Sequence, residues 1–213
     1  MSIAKSTIGN QKLPKPYISH SQFYLFVRDP MAYYRQYFIA RVDKPTPKMI
    51  FGKIFQEAWS DRKYDYEKAL QENGFTSDKL RVIKTALSHP ETFRLPKSKT
   101  EIKLEIQHPD IADYKLLGFL DGLEKDTHTI TENKMGVWWT EKTVKESTQI
   151  TWYMLSYYVK YGKMPKLRLQ SFNANNGIPR IFWAKRTVAD FKNLIININS
   201  MITKIESGDF EKY

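Results

Sequence analysis

The spacing of apolar residues changes character near residue 95, and that change divides the chain. Before it the spacing is helical. Ser19 can cap a helix through residues 21–27, and Asp29 followed by Pro30 can open another over residues 31–38. Residues 41–48 carry two prolines and read as a loop. A helix is predicted from about Phe51 to Asn73, ended by Gly74. Ser77 or Asp78 opens the next, in which Leu80, Ile83 and Leu87 recur at i, i+3 and i+7 until Pro90 stops it.

Beyond residue 95 alternation takes over. Residues 101–106 alternate like a strand. Residues 114–123 and 128–135 are apolar-rich runs around Glu124–Thr127, a predicted hairpin. A helix covers about Glu141 to Tyr161. Residues 167–173 and 178–184 form a second hairpin around an Asn-Gly turn at Asn176-Gly177. A last helix starts near Thr187, with Phe191, Leu194, Ile198, Met201 and Ile205 as its apolar stripe. Strands lying between helices predict an α/β (α+β) fold, with a central mixed sheet of about four to five strands flanked by helices.

Composition changes this picture in two ways. The 213 residues suit one domain with additions. No apolar stretch is long enough to span a bilayer, so no membrane partner is expected. There is no cysteine, which excludes disulfides, thiolate zinc sites, iron–sulfur clusters and cysteine nucleophiles together. That fits a cytoplasmic setting. The opening segment lacks an apolar core, so it is not a secretory signal. Its lack of Arg argues against a mitochondrial leader but leaves that destination open. Residues 1–18 read as a basic mobile or wrapping arm, since the first acidic residue is Asp29. Residues 19–213 read as one domain, helical over 19–95 and sheet-based over 96–213. A net charge of +11 favours a polyanionic partner, nucleic acid above all.

The sharpest chemistry lies in the first hairpin. The midpoint of Asp121 and Glu132 falls inside the predicted turn, which places them opposite each other on one face of an antiparallel pair. Lys134 lies two residues beyond Glu132 and shares that face. Two close carboxylates repel, and burial raises the cost. A Mg²⁺ ion, which takes one or two protein carboxylates and fills its shell with water and phosphate oxygens, removes both problems. On the next helix Gln149 and Tyr153 are i and i+4. Upstream, Phe51-Gly52 leads to Gln56 and Glu57.

These pieces, in this order, resemble the PD-(D/E)XK nuclease superfamily in its RecB-type, lambda-exonuclease-like branch. The matching motifs are Ser19-His20-Ser21-Gln22 with Asp29-Pro30, Phe51-Gly52 to Glu57, Gly118-Phe119-Leu120-Asp121, Glu132-Asn133-Lys134, and Gln149 with Tyr153. The resemblance implies a restriction-endonuclease-like core with an N-terminal helical region. It implies Mg²⁺ or Mn²⁺ held by Asp121, Glu132 and the backbone carbonyl of Asn133. Lys134 would be the catalytic lysine, with Gln149 and Tyr153 positioning the centre. It points to Ser19, Ser21 and Gln22 as contacts to DNA.

Two departures stand out. The branch usually has a histidine where this chain has Gln56, so Gln56 or Glu57 would supply that metal ligand, or the metal would use only the hairpin and water. The iron–sulfur members carry a cysteine before the early proline, where this chain has Asp29. Trp138 and Trp139 follow the hairpin, and one of them could stack on a base. The function expected is a metal-dependent deoxyribonuclease, an exonuclease of recombination, repair or replication. The partners expected are DNA ends, with a recombination or replication protein and self-assembly compatible. Two other readings are a nuclease-fold module that binds nucleic acid or protein with impaired catalysis, and a sequence-specific endonuclease.

Overall fold

The computed structural model describes residues 12–39, 44–111, 114–136 and 139–210. Most of the arm, residues 1–11, lies outside this description. Leu13 and Ile18, at its end, are buried. Strand β1 (Tyr17–Ser19) runs straight into α1 (His20–Arg28), and α2 (Pro30–Tyr37) follows. Both helices start as their caps dictate. The Ser19 hydroxyl accepts from the N–H of Gln22 at 3.3 Å, and the Asp29 carboxylate accepts from the N–H of Ala32 at 2.9 Å.

Next come α3 (Pro47–Ser60), α4 (Tyr66–Glu72) and α5 (Ser77–Ser88). The single helix expected over 51–73 is two. Asp61 ends the first and accepts from the N–H of Lys63, while Asp65 caps the second by accepting from the N–H of Lys68. The helix also starts earlier, at Pro47, because Thr46 caps it. The remaining elements are β2 (Thr100–Gln107), β3 (Lys115–Glu124), β4 (Thr129–Met135), α6 (Glu141–Glu146), α7 (Thr148–Tyr161), β5 (Lys166–Phe172), β6 (Pro179–Ala184) and α8 (Val188–Glu206). Here too one expected helix, over 141–161, is two. Ser147 breaks it and caps α7, and Arg186 donates to the Val144 carbonyl that the break exposes and to the Ser147 carbonyl that opens α7.

The sheet is mixed and six-stranded, one strand more than the alternation predicts, because three-residue β1 is too short to show a period. Its connectivity makes the site. Strand β2 pairs antiparallel with β3 along most of one edge. Since β2 already pairs with Lys115–Leu117 and with Gly122, the other edge of β3 must hold both β1, parallel at Lys115–Leu117, and β4, antiparallel at Gly122–Glu124. Between them, residues 118–121 face no strand on that edge among the described residues, and the sheet opens into a notch. Strand β4 continues away to pair parallel with β5, and β6 closes that side.

Helices cover both faces. On one, α1, α7 and α8 build a core with Trp152, Leu120, Leu169 and Ile198. On the other, α3, α4 and α5 pack Phe55, Trp59 and Ile83 against Phe172. The predicted α8 stripe is buried throughout, worth roughly 1.5–3 kcal/mol per large side chain. Among the described residues no helix is long and apolar enough to cross a membrane.

Candidate active site

Asp121 sits at the notch, where β3 loses its regular alternation. Leu120 and Leu123 enter the same core although they are three residues apart. Gly122 faces the opposite way. A Cβ there would stand 2.5 Å from Leu95 Cδ1 and 3.2 Å from Trp59. A Cβ on Gly118 would stand 3.4 Å from the Tyr153 ring. The two glycines of the Gly-Phe-Leu-Asp-Gly run thus let helices of both layers close on β3 beside Asp121.

The β3–β4 register, Gly122↔Thr131 with Leu123↔Ile130, extrapolates to Asp121 opposite Glu132. The ladder stops one pair short, and the Asp121 side chain takes its place. The backbone N–H of Asn133 donates to Asp121 Oδ2 at 2.7 Å. On β4, Lys134 Nζ lies 2.6 Å from Glu132 Oε1, and the Glu132 side chain is only 3% exposed. The other oxygen, Oε2, is buried without a hydrogen-bond partner.

Electrostatics follow from this placement. Burial, then the charge of Glu132, holds the Asp121 carboxyl well above the usual carboxylate range, against the opposing pull of Lys134 and the Asn133 N–H. Burial likewise raises Glu132, with Lys134 opposing. Burial works to lower the Lys134 ammonium, but Glu132 and Asp121 outweigh it and raise it. The Tyr153 phenol is held well up by burial and by the same two carboxylates. Gln149 Nε2 donates to Tyr153 Oη at 2.9 Å. His20 completes the group. Its Nε2 lies 3.0 Å from Thr148 Oγ1, and burial with the nearby Lys134 lowers it to about 4, so it is neutral at pH 7.

The structure therefore brings Asp121, Glu132, Lys134, Gln149 and Tyr153 together and adds His20. Gln56 lies elsewhere. Its Oε1 accepts from Asn133 Nδ2 at 3.4 Å, and its Nε2 donates to Ser60 at 3.2 Å. Asn133 points its side chain away from Glu132, and Asn133 Oδ1 accepts from Gln170 Nε2 at 2.8 Å. The charge of Glu57 is felt by Tyr64 and Lys97. Ser19 and Ser21 pair with each other at 2.9 Å at the start of α1. Gln22 is 2% exposed, on the buried side of α1. Trp139 is partly buried against the core, with its indole Nε1 unpartnered. Trp138 lies outside the described residues.

One acidic residue escaped the sequence reading. The β2–β3 register places Glu101 across from Asp121, and its charge adds to the raising of Asp121. Glu101 adopts φ +52°, a left-handed conformation that a non-glycine residue rarely holds without local compensation. The signal available in sequence was its place at the start of β2 in register with Asp121.

Comparison with solved structures fits this geometry. A candidate exonuclease from Eubacterium rectale superposes with a TM-score of 0.65 at 10% identity, over 92% of this chain and 83% of that one. The alkaline exonuclease LHK-Exo from Laribacter hongkongensis, in complex with dAMP, gives 0.52 at 15% identity, over 92% and 91%. The chain shares their fold. No family model matches the sequence, and no curated protein does. At such low identities the likeness concerns the backbone, and the chemistry rests on the residues described above.

Proposed function

We propose that this protein is a metal-dependent nuclease that hydrolyses DNA phosphodiester bonds at strand ends. The observation that carries this reading is the pair of facing carboxylates, Glu132 buried with an orphaned oxygen and Asp121 half-buried beside it. A buried acceptor without a donor costs about 1–3 kcal/mol or more, and a cation would remove that cost. The donors fit Mg²⁺ or Mn²⁺. They are hard oxygens: Asp121, Glu132 Oε2 and the backbone carbonyl of Asn133. Among the described residues no group of three or more His, Asp or Glu side chains forms a cage. That suits a hard ion that keeps several waters.

When bound, such an ion supplies Lewis-acid polarisation of the phosphate and of a bound water. The chain's own residues do the rest. Lys134, kept protonated by its carboxylate neighbours, acts as a cation rather than as a base. It orients the attacking water and offsets charge as it builds on phosphate oxygens. Tyr153, its oxygen already accepting from Gln149, offers its O–H toward the same place. Neutral His20 adds a wall that does not compete for the phosphate's charge. Water attacks phosphorus, one ester oxygen leaves, and two strand ends result. Gln56 supports the centre indirectly, by holding the side chain of Asn133.

The net charge of +11 supports a nucleic-acid substrate, and the two exonuclease folds support action at ends. A role in recombination, repair or replication follows as the corresponding cellular setting. The test is incubation with end-labelled linear DNA and with circular DNA, in Mg²⁺, Mn²⁺ or EDTA. Stepwise loss of label from linear DNA, abolished by EDTA, is expected. Nicking of circles would make it an endonuclease. DNA binding without cleavage in either metal would reduce it to a binding module.

A further inference from the structure

One groove, of about 1290 Å³, runs between α1, the α6–α7 junction and α8. It exceeds the roughly 300–1,000 Å³ of a small-molecule pocket. Its inner end is formed by His20 and Gln149, and its walls include Trp139 and Lys204. One wall has an ordered chemistry. His20, Tyr24 and Arg28 lie at i, i+4 and i+8, on one face of α1. The His20 and Tyr24 rings stack with centroids 6.0 Å apart at 28°. The Arg28 guanidinium lies 5.7 Å from the Tyr24 ring centroid. Tyr24 is 51% exposed, far more than an aromatic held for the core.

Three planar groups in series therefore lead away from the centre. The eight steps from His20 to Arg28 span about 12 Å at 1.5 Å per residue, comparable to three or four base steps of about 3.4 Å. Planar side chains of this kind stack on bases without regard to sequence. Arg28 supplies a cation at the groove, while Lys204 is paired with Asp209 at 4.0 Å and Glu146 also lines it. We infer that this groove takes the unpaired end of a nucleic-acid strand, with bases stacked on Tyr24 and the Arg28 guanidinium and the backbone led toward Lys134. A peptide helix fits less well, because the exposed π-face of Tyr24 and the Arg28 guanidinium interrupt the apolar lining of Val27, Pro30 and Met201. The inference rests on the nuclease reading for its direction, but binding tests it separately from cleavage.

The experiment measures binding of a short single-stranded oligodeoxynucleotide by fluorescence anisotropy, with Ca²⁺ as the divalent ion, to full-length wild type and variants. Tyr24→Ala should weaken binding about tenfold, within the range of one lost base stack. Tyr24→Trp should keep it within about twofold, and Arg28→Ala should weaken it and flatten its salt dependence. A 2-aminopurine in the strand should be quenched by wild type and not by Tyr24→Ala. Tyr24 is exposed, so its loss leaves the fold standing, and Tyr24→Trp controls for that. Equal affinity of wild type and Tyr24→Ala, or tighter binding of blunt duplex than of single strand, overturns the inference. Wild type that binds in this Tyr24-dependent way yet never cleaves supports the groove and sinks the nuclease reading. Metal-dependent cleavage with Tyr24-independent binding does the reverse.

Discussion

Along β4, Glu132 and Lys134 face α1 and α7, whereas Asn133 between them faces α3 and the loop before β2. The second face is a closed amide network. Gln170 exchanges hydrogen bonds with both backbone groups of Phe93 at 2.7 and 2.9 Å and donates to Asn133, which in turn donates to Gln56. The first face carries two repelling carboxylates, one cation and an orphaned oxygen. Satisfied polar groups fix a strand in place, and unsatisfied ones hold free energy that a ligand can release. One seven-residue strand does both, because its side chains alternate.

The largest effect that would break this contrast is on activity. Asp121→Asn, Glu132→Gln and Lys134→Ala should each lower DNA cleavage by about 1,000-fold or more, the scale of losing a group that stabilises transition-state charge. Gel assays of labelled DNA measure it. Without divalent ions, Asp121→Asn should also raise the melting temperature, because it removes repulsion with Glu132. Lys134→Ala should lower it by leaving the buried Glu132 and the half-buried Asp121 uncompensated.

On the amide face the order reverses. Gln170→Leu strips partners from Phe93 and Asn133 and should cost about 1–3 kcal/mol in urea denaturation. Cleavage should stay within about tenfold of wild type, since Gln170 is a support and makes no contact with the carboxylate pair.

Proton linkage gives a third, smaller contrast. Asp121 and Glu132 are raised, so between an ordinary carboxylate pKa of about 4 and their folded values the native state binds more protons than the unfolded one. Stability from this source is present at low pH and is lost as pH rises through that window. A divalent ion should cancel the loss. His20 is lowered from 6.5 to about 4, so its native state binds fewer protons, and stability from this source rises with pH between those values. Melting curves from pH 4 to 8 should show Asp121→Asn reducing the fall, with Glu132 supplying the remainder, and His20→Asn removing the rise.

The smallest expected effects are at α3. Gln56→His and Glu57→Ala should shift the Mg²⁺ or Mn²⁺ concentration for half-maximal cleavage by no more than about twofold, because the oxygen donors proposed for an ion lie on the other face of β4. A shift as large as that of Asp121→Asn would bring α3 into the metal's own shell.

Much of the hairpin was legible in sequence because strand alternation and a turn midpoint are local rules. They give the Gly122↔Thr131 register directly. The α8 stripe was legible for the same reason. What escaped was set by distant partners. The break at Ser147 depends on Arg186 reaching back to its carbonyls. The slip in β3 at Asp121, with Glu101 strained across from it, depends on which helices press on the two glycines. The amide network joins residues 56, 93, 133 and 170, and no single window of sequence contains it.

The edge of β3 that β1 and β4 share also sets an order of assembly. The β3–β4 hairpin closes over a four-residue turn, whereas β1 must find β3 across a long loop, Tyr17 pairing with Lys115. Loop closure of that length is slow and entropically costly. The carboxylate pair is therefore expected to form early, with α1 and its groove wall docking last. A chain begun after Ser19 would then be arrested with its acidic centre built and its α1 wall undocked.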